Sequence, residues 1–171
     1  MINVIQRSYA IVGSKLIAAP DRGAIDVFWA KAIAQNPSLE RDHQVRWIGL
    51  DEETTAQIIR FIQSGEKTAT FTLPWVNSFH KWPDGYPGLP IILMSCKGEP
   101  LLVVQITEVL ETTFGAVDYS VTSLDGPPVR ETDVWLALHT QYWNAILEDL
   151  DLQCTKDMPV LVEKFAVRYP L

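Results

Sequence analysis

Ile91-Ile92-Leu93-Met94-Ser95, then Lys97-Gly98-Glu99-Pro100, then Leu101-Leu102-Val103-Val104-Gln105-Ile106-Thr107-Glu108-Val109: this stretch decides the fold class. Two apolar runs rich in β-branched residues, parted by a turn of more than two residues, predict a β-hairpin. Working outward, Val45-Arg46-Trp47-Ile48 alternates as a short strand, and the β-branched and aromatic segment 68–72 reads as another. Met158-Pro159 leads into a closing strand over 160–162 and 165–167.

Helical signals lie between these strands. Residues 24–35 place Ile25, Phe28, Trp29, Ala32 and Ile33 at helical spacing, and Asn36-Pro37 ends the run. Asp51 reads as an N-cap before Glu52, Glu53 and Thr54, with Ile58, Ile59, Phe61 and Ile62 following and Ser64-Gly65 as the stop. The longest helix is expected over 131–150, with Trp135, Leu138, Tyr142, Ile146 and Leu150 as its apolar stripe. Two long connections remain, 75–90 with its aromatics among prolines and glycines, and 114–128, which ends in Asp125-Gly126-Pro127-Pro128. Strands and helices mix without a βαβ rhythm, so the expected class is α+β.

A chain of 171 residues is the size of one domain, and its 47% hydrophobic content suffices for a packed core. Residues 1–23 read as an N-terminal tail, and 24–171 as a single domain. The apolar stretches 9–13 and 16–19 are interrupted by Lys15, with Arg7 just before them, so neither a secretory leader nor a membrane span is expected. Cys96 and Cys154 lack metal-ligand spacing and read as buried thiols of a reducing, cytoplasmic compartment. A net charge of −7 opposes indiscriminate attraction to nucleic acid, so no DNA partner is expected, and any contact with RNA must be local. Phosphate loops, zinc spacings and nucleophile elbows are absent from the sequence, and neither a cofactor nor a metal is expected.

What remains is Gly65-Glu66-Lys67-Thr68-Ala69-Thr70, followed far downstream by Asp125-Gly126. A glycine two residues before a lysine, with a threonine three residues after it, resembles the signature of the ASCH domain family. The likeness runs on through Phe28-Trp29, Thr72-Leu73-Pro74-Trp75, the strand 103–109, Phe114, Val117-Asp118, Trp135, His139, Asp157-Met158-Pro159-Val160 and Phe165. It covers most of the chain after Gly23.

The resemblance implies a PUA-like β-barrel of about five to six mixed or antiparallel strands with flanking helices, and a cleft at Lys67. Some short bacterial members of the family are amidohydrolases on acetylcytidine, and at least one longer member has been described as a ribonuclease. The implied reading is a protein that interacts with RNA or a modified nucleoside, as a hydrolase or as a non-catalytic binding module. By the same resemblance Lys67, Thr70 and Asp125 are the catalytic candidates, Asp125 standing where the longer members carry glutamate.

The residues bring their own chemistry. A lysine's ordinary pKa of about 10.4 must fall toward roughly 7 to 8 for work as a base or nucleophile near neutrality. In an ideal strand Thr70 faces away from Lys67, so joint work needs a bend, which Gly65 makes plausible. Trp75 and Trp82 are candidates for stacking a base, Arg46 for a local positive charge, and Thr68 for a contact beside the lysine. Arg46 otherwise reads as an exposed strand residue, and His139 as a structural histidine beside Trp135.

Overall fold

The computed structural model describes residues 4–5, 20–39, 42–49 and 51–170. The stretches 9–13 and 16–19, on which the expectation of no leader or membrane span rests, lie outside the described residues. The strands are β1 (Val4–Ile5), β2 (Gln44–Trp47), β3 (Ala69–Thr72), β4 (Pro90–Met94), β5 (Pro100–Thr113) and β6 (Pro159–Tyr169). The helices are α1 (Arg22–Gln35), α2 (Glu52–Gln63), α3 (Pro74–His80), α4 (Tyr119–Thr122) and α5 (Thr132–Leu147), with 3-10 turns at Phe114–Ala116, Pro127–Val129 and Glu148–Leu150.

The expected hairpin forms the centre of the sheet. β4 and β5 pair antiparallel, with Ile91 opposite Val104 and Ile92 opposite Val103. The spatial order is β1-β2-β4-β5-β6-β3, parallel from β1 to β4 and antiparallel from β4 to β3. The closing strand is one continuous element of 11 residues.

The sheet curls strongly. Arg46 on β2 and Glu163 on β6 form an ion pair although β4 and β5 lie between their strands. In a flat sheet three strand spacings would hold them about 14 Å apart. No pairing joins β3 to β1 or β2 among the described residues, so the α+β mixed sheet is a half-barrel with two free edges.

Alternation along the strands sorts side chains to two faces. The convex face buries Val45, Trp47, Ile92, Met94 and Val103 under α1. Beside them, Ala69, Phe71, Val160 and Val162 pack with Trp135, Trp143 and Leu147 of α5. The concave face carries Ile91, Leu93, Leu102, Val104, Ile106 and Phe165, capped by Ile62, Ile58 and Ile59 of α2.

Several expectations change, among them the thiols: Cys96 and Cys154, read as buried, are both only partly buried. The 75–90 connection begins inside α3, which Pro74 starts from the first turn, where its missing N–H is no loss. Seven residues are too few for an apolar period to stand out in sequence. Within α5, Leu138 is 46% exposed, and Trp143 and Leu147 complete the buried face.

Candidate functional site

The α2 terminus sets the position of Lys67. Asp51 and Thr54 form a reciprocal capping box at its start, with Thr54 N donating to Asp51 Oδ1 at 2.8 Å and Asp51 N to Thr54 Oγ1 at 3.1 Å. At its end Gly65 takes φ +74°, a left-handed turn that a Cβ disfavours. The chain doubles back, Lys67 N donating to the Phe61 carbonyl at 2.8 Å, and enters β3 two residues later.

Lys67 and Asp125 are brought together. Nζ lies 2.5 Å from Asp125 Oδ1, and each residue is only 7% exposed. The Gly126 amide donates to Oδ1 at 2.7 Å and Trp135 Nε1 to Oδ2 at 3.1 Å, so both carboxylate oxygens are held. Burial works to raise the Asp125 pKa and is outweighed by the charge and hydrogen bond of Lys67 and by the Gly126 amide, leaving the group below the ordinary carboxylate value. Lys67 also stands 5.4 Å from the centre of the Phe71 ring.

Arg130 ties together the two segments that present the pair. Its Nε donates to the Asp125 carbonyl at 2.9 Å, and its Nη2 donates to the Glu66 carbonyl. Behind the pair, His139 stacks on Trp135 with ring centres 3.7 Å apart and meets Trp143 and Phe71 edge-on. Its Nδ1 donates to the Trp135 carbonyl at 2.9 Å, and burial pushes its pKa down to about 4. This histidine is a neutral packing element.

A groove of about 320 Å³ opens beside Lys67, lined by residues 62–65, Lys67, Thr68 and 165–167. Thr68 is fixed there by its backbone, whose N–H goes to Leu124 and whose carbonyl accepts from Phe165. A larger depression of about 560 Å³ lies at the C-terminal end of α5, where Glu148 and Asp151 would repel a phosphate.

The other predicted residues lie apart from the pair. Thr70 sits opposite Glu163 in the β3–β6 register, on the concave face, as ideal strand alternation requires; the bend at Gly65 ends before β3 begins. Arg46 is not an exposed strand residue: it is 7% exposed and spends its donors on Glu163 and Gln44. Trp75 is half-buried against the α5 core, and Trp82, also packed there, stacks on His80 at 4.3 Å. The predicted set thus divides between Lys67 with Asp125 on one side of the sheet and Thr70 with Arg46 on the other.

Sequence reasoning passed over Arg130, Gln44 and Glu163. Glu163 had a signal, a carboxylate at an inward position of the apolar strand that begins Pro159-Val160-Leu161-Val162. Arg130 had none, because both its acceptors are backbone carbonyls.

Among the described residues, no three or more His, Cys, Asp or Glu side chains gather as a metal-holding group, and no helix is long and apolar enough to cross a membrane. The chain matches none of the curated proteins. Its fold is similar to a crystal structure from Enterococcus faecalis V583, with a TM-score of 0.75 at 21% identity over 85% of this chain and 88% of that one. It is equally similar to an ASCH domain from Lactobacillus crispatus JV V101, with a TM-score of 0.76 at 19% identity over 86% of this chain and 96% of that one. The ASCH domain family matches residues 46–169, a span holding Lys67, Asp125 and every strand from β3 to β6; the chain belongs to the ASCH domain family.

Proposed function

We propose that this protein interacts with RNA or a modified nucleoside at the groove beside Lys67, and hydrolyses it through Lys67 and Asp125. The observation that supports this is Lys67, a lining residue of a groove whose volume of about 320 Å³ suits a small ligand, in contact with the Asp125 carboxylate, both residues sheltered from water. Asp125 is held ionised, so it serves as the base that takes a proton from an attacking water. The Lys67 ammonium then donates to the leaving group, an amide nitrogen in an acylated cytidine or an oxygen in RNA. Water adds to the acyl carbon or phosphorus, the bond to the leaving group breaks, and Asp125 returns its proton to Lys67.

A second reading, a binding module without turnover, is favoured by the position of Thr70. With the hydroxyl across the sheet, the pair keeps its charge for recognition but lacks the third predicted member.

One experiment separates the two. Wild type and Lys67→Arg are incubated with acylated cytidines and a mixed RNA pool, products are followed by mass spectrometry, and binding is titrated in low salt. Hydrolysis predicts that the variant keeps affinity while turnover falls by about 100-fold or more. Saturable binding without products in either protein supports the module instead. Neither products nor binding removes both readings.

A further inference from the structure

Besides its two outer strands, the sheet has a third open edge within it. β5 runs for 14 residues and β4 for only 5, and their pairing stops at Gln105 opposite Pro90. The last bonds on that side join the Ile106 carbonyl to Gly88 N at 2.8 Å and Ile106 N to the Leu89 carbonyl at 2.9 Å. Past a register shift at Thr107, residues 108–113 pair with β6 alone.

In an antiparallel ladder the N–H and C=O of one residue point to the same side, and successive residues alternate. Phe114 N donates to the Met158 carbonyl on the β6 side, so Thr113, Glu111 and Val109 point theirs the other way. No backbone hydrogen bond from the described residues reaches these three there. Thr107, Glu108, Leu110, Glu111 and Thr113 are exposed, so no described element covers the stretch.

Such an edge is a template for another strand, and its side chains select which strand fits. Glu108 is already paired with Lys164 at 2.8 Å, whereas the Glu111 carboxylate forms no ion pair among the described residues. Leu110, 41% exposed, stands on the opposite face from Glu111, beside Val162. A second copy of the chain fits poorly. A two-fold axis through Leu110, the centre of 107–113, sets the two Glu111 side chains diagonally on one face, about 7–8 Å apart. Each copy also brings a net charge of −7.

We propose that the open edge of β5 is a docking site for an extended, basic peptide segment of a partner protein, which joins the sheet as an added strand. Its backbone pairs with Val109, Glu111 and Thr113, a lysine or arginine meets Glu111, and an apolar residue on the alternate face covers Leu110. The charge that keeps two acidic copies apart selects the basic strand. This edge lies on the other side of β6 from β3, and its role is independent of the reading at Lys67.

The test titrates a capped heptapeptide of alternating valine and lysine into the full chain, with amide hydrogen exchange followed residue by residue by NMR. Saturable binding that weakens with salt is expected, with slowed exchange at Val109, Glu111 and Thr113. Glu111→Pro removes the central outward N–H and leaves the bonds to β6, as prolines on edge strands do. It is expected to bind at least about tenfold more weakly, and Glu111→Gln about threefold more weakly with less dependence on salt. Absence of saturable binding by wild type, or equal affinity of wild type and Glu111→Pro, overturns the docking site. Should Glu111→Pro fail to fold, the wild-type exchange pattern decides: slowing at the three amides upholds the site, and unchanged exchange overturns it. Concentration-dependent dimers that protect the same amides without peptide overturn it in favour of a second copy.

Discussion

Arg130 holds the backbone of Asp125 in place: its Nε donates to the Asp125 carbonyl at 2.9 Å while its Nη2 donates to the carbonyl of Glu66, one residue before Lys67. One guanidinium thus spans the two chain segments that meet in the Lys67–Asp125 pair. An ammonium is a point donor and cannot reproduce this fork. Arg130→Ala is expected to lower stability by about 1 to 3 kcal/mol in urea unfolding, and Arg130→Lys to recover only part of it. A fully rescued lysine variant would show that charge alone matters there.

The pair itself should behave as a unit. Lys67→Met leaves a buried carboxylate with only neutral donors, a loss of about 3 to 5 kcal/mol. Adding Asp125→Asn removes the stranded charge, and the double variant is expected to be more stable than Lys67→Met alone. Additive losses in a double-mutant cycle would contradict this coupling.

Acid should weaken the protein in two steps. His139 has a folded value of about 4 against an ordinary 6.5, so the unfolded chain takes up the proton first as pH falls. Its contribution is whole above pH 6.5 and is lost as pH drops toward 4, at up to about 3 kcal/mol. Asp125, held below 3.8, keeps its contribution above that value and loses it as pH falls further, through its folded pKa. Urea midpoints measured from pH 7 to 3 should show both phases in wild type and a much reduced first phase in His139→Phe. An unchanged first phase in that variant would assign it to another group.

Gly85 marks how closely the strap 81–89, which carries neither helix nor strand, lies on the sheet. A Cβ there would collide with the Glu163 carboxylate and stand 2.6 Å from Ile106 Cδ1. Gly85→Ala is expected to cost about 1 to 3 kcal/mol and to speed amide exchange across residues 81–89 while leaving β4 and β5 protected. Unaltered exchange would mean that the strap accommodates the methyl group without lifting.

Much of this architecture was legible in local pattern. The 91–109 hairpin, the capped helix after Asp51 and the glycine stop at Gly65 follow from periodicity, capping and turn chemistry, which act over a few residues and are written in order along the chain, whereas Lys67 stood out through its likeness to the family signature. Asp125 was legible only through its place in the family pattern. Which partners these residues would find was not local. Arg46 and Glu163 are 117 positions apart and Lys67 and Asp125 58, so the curl of the sheet and the return of the 114–128 connection decided both ion pairs. Strand alternation, a local rule, already put Thr70 and Lys67 on opposite faces; only the folded sheet decided that one face would be lined by Arg46 and Glu163 and the other by Asp125, Trp135 and His139, because side-chain direction is set residue by residue whereas the company it keeps is set by packing.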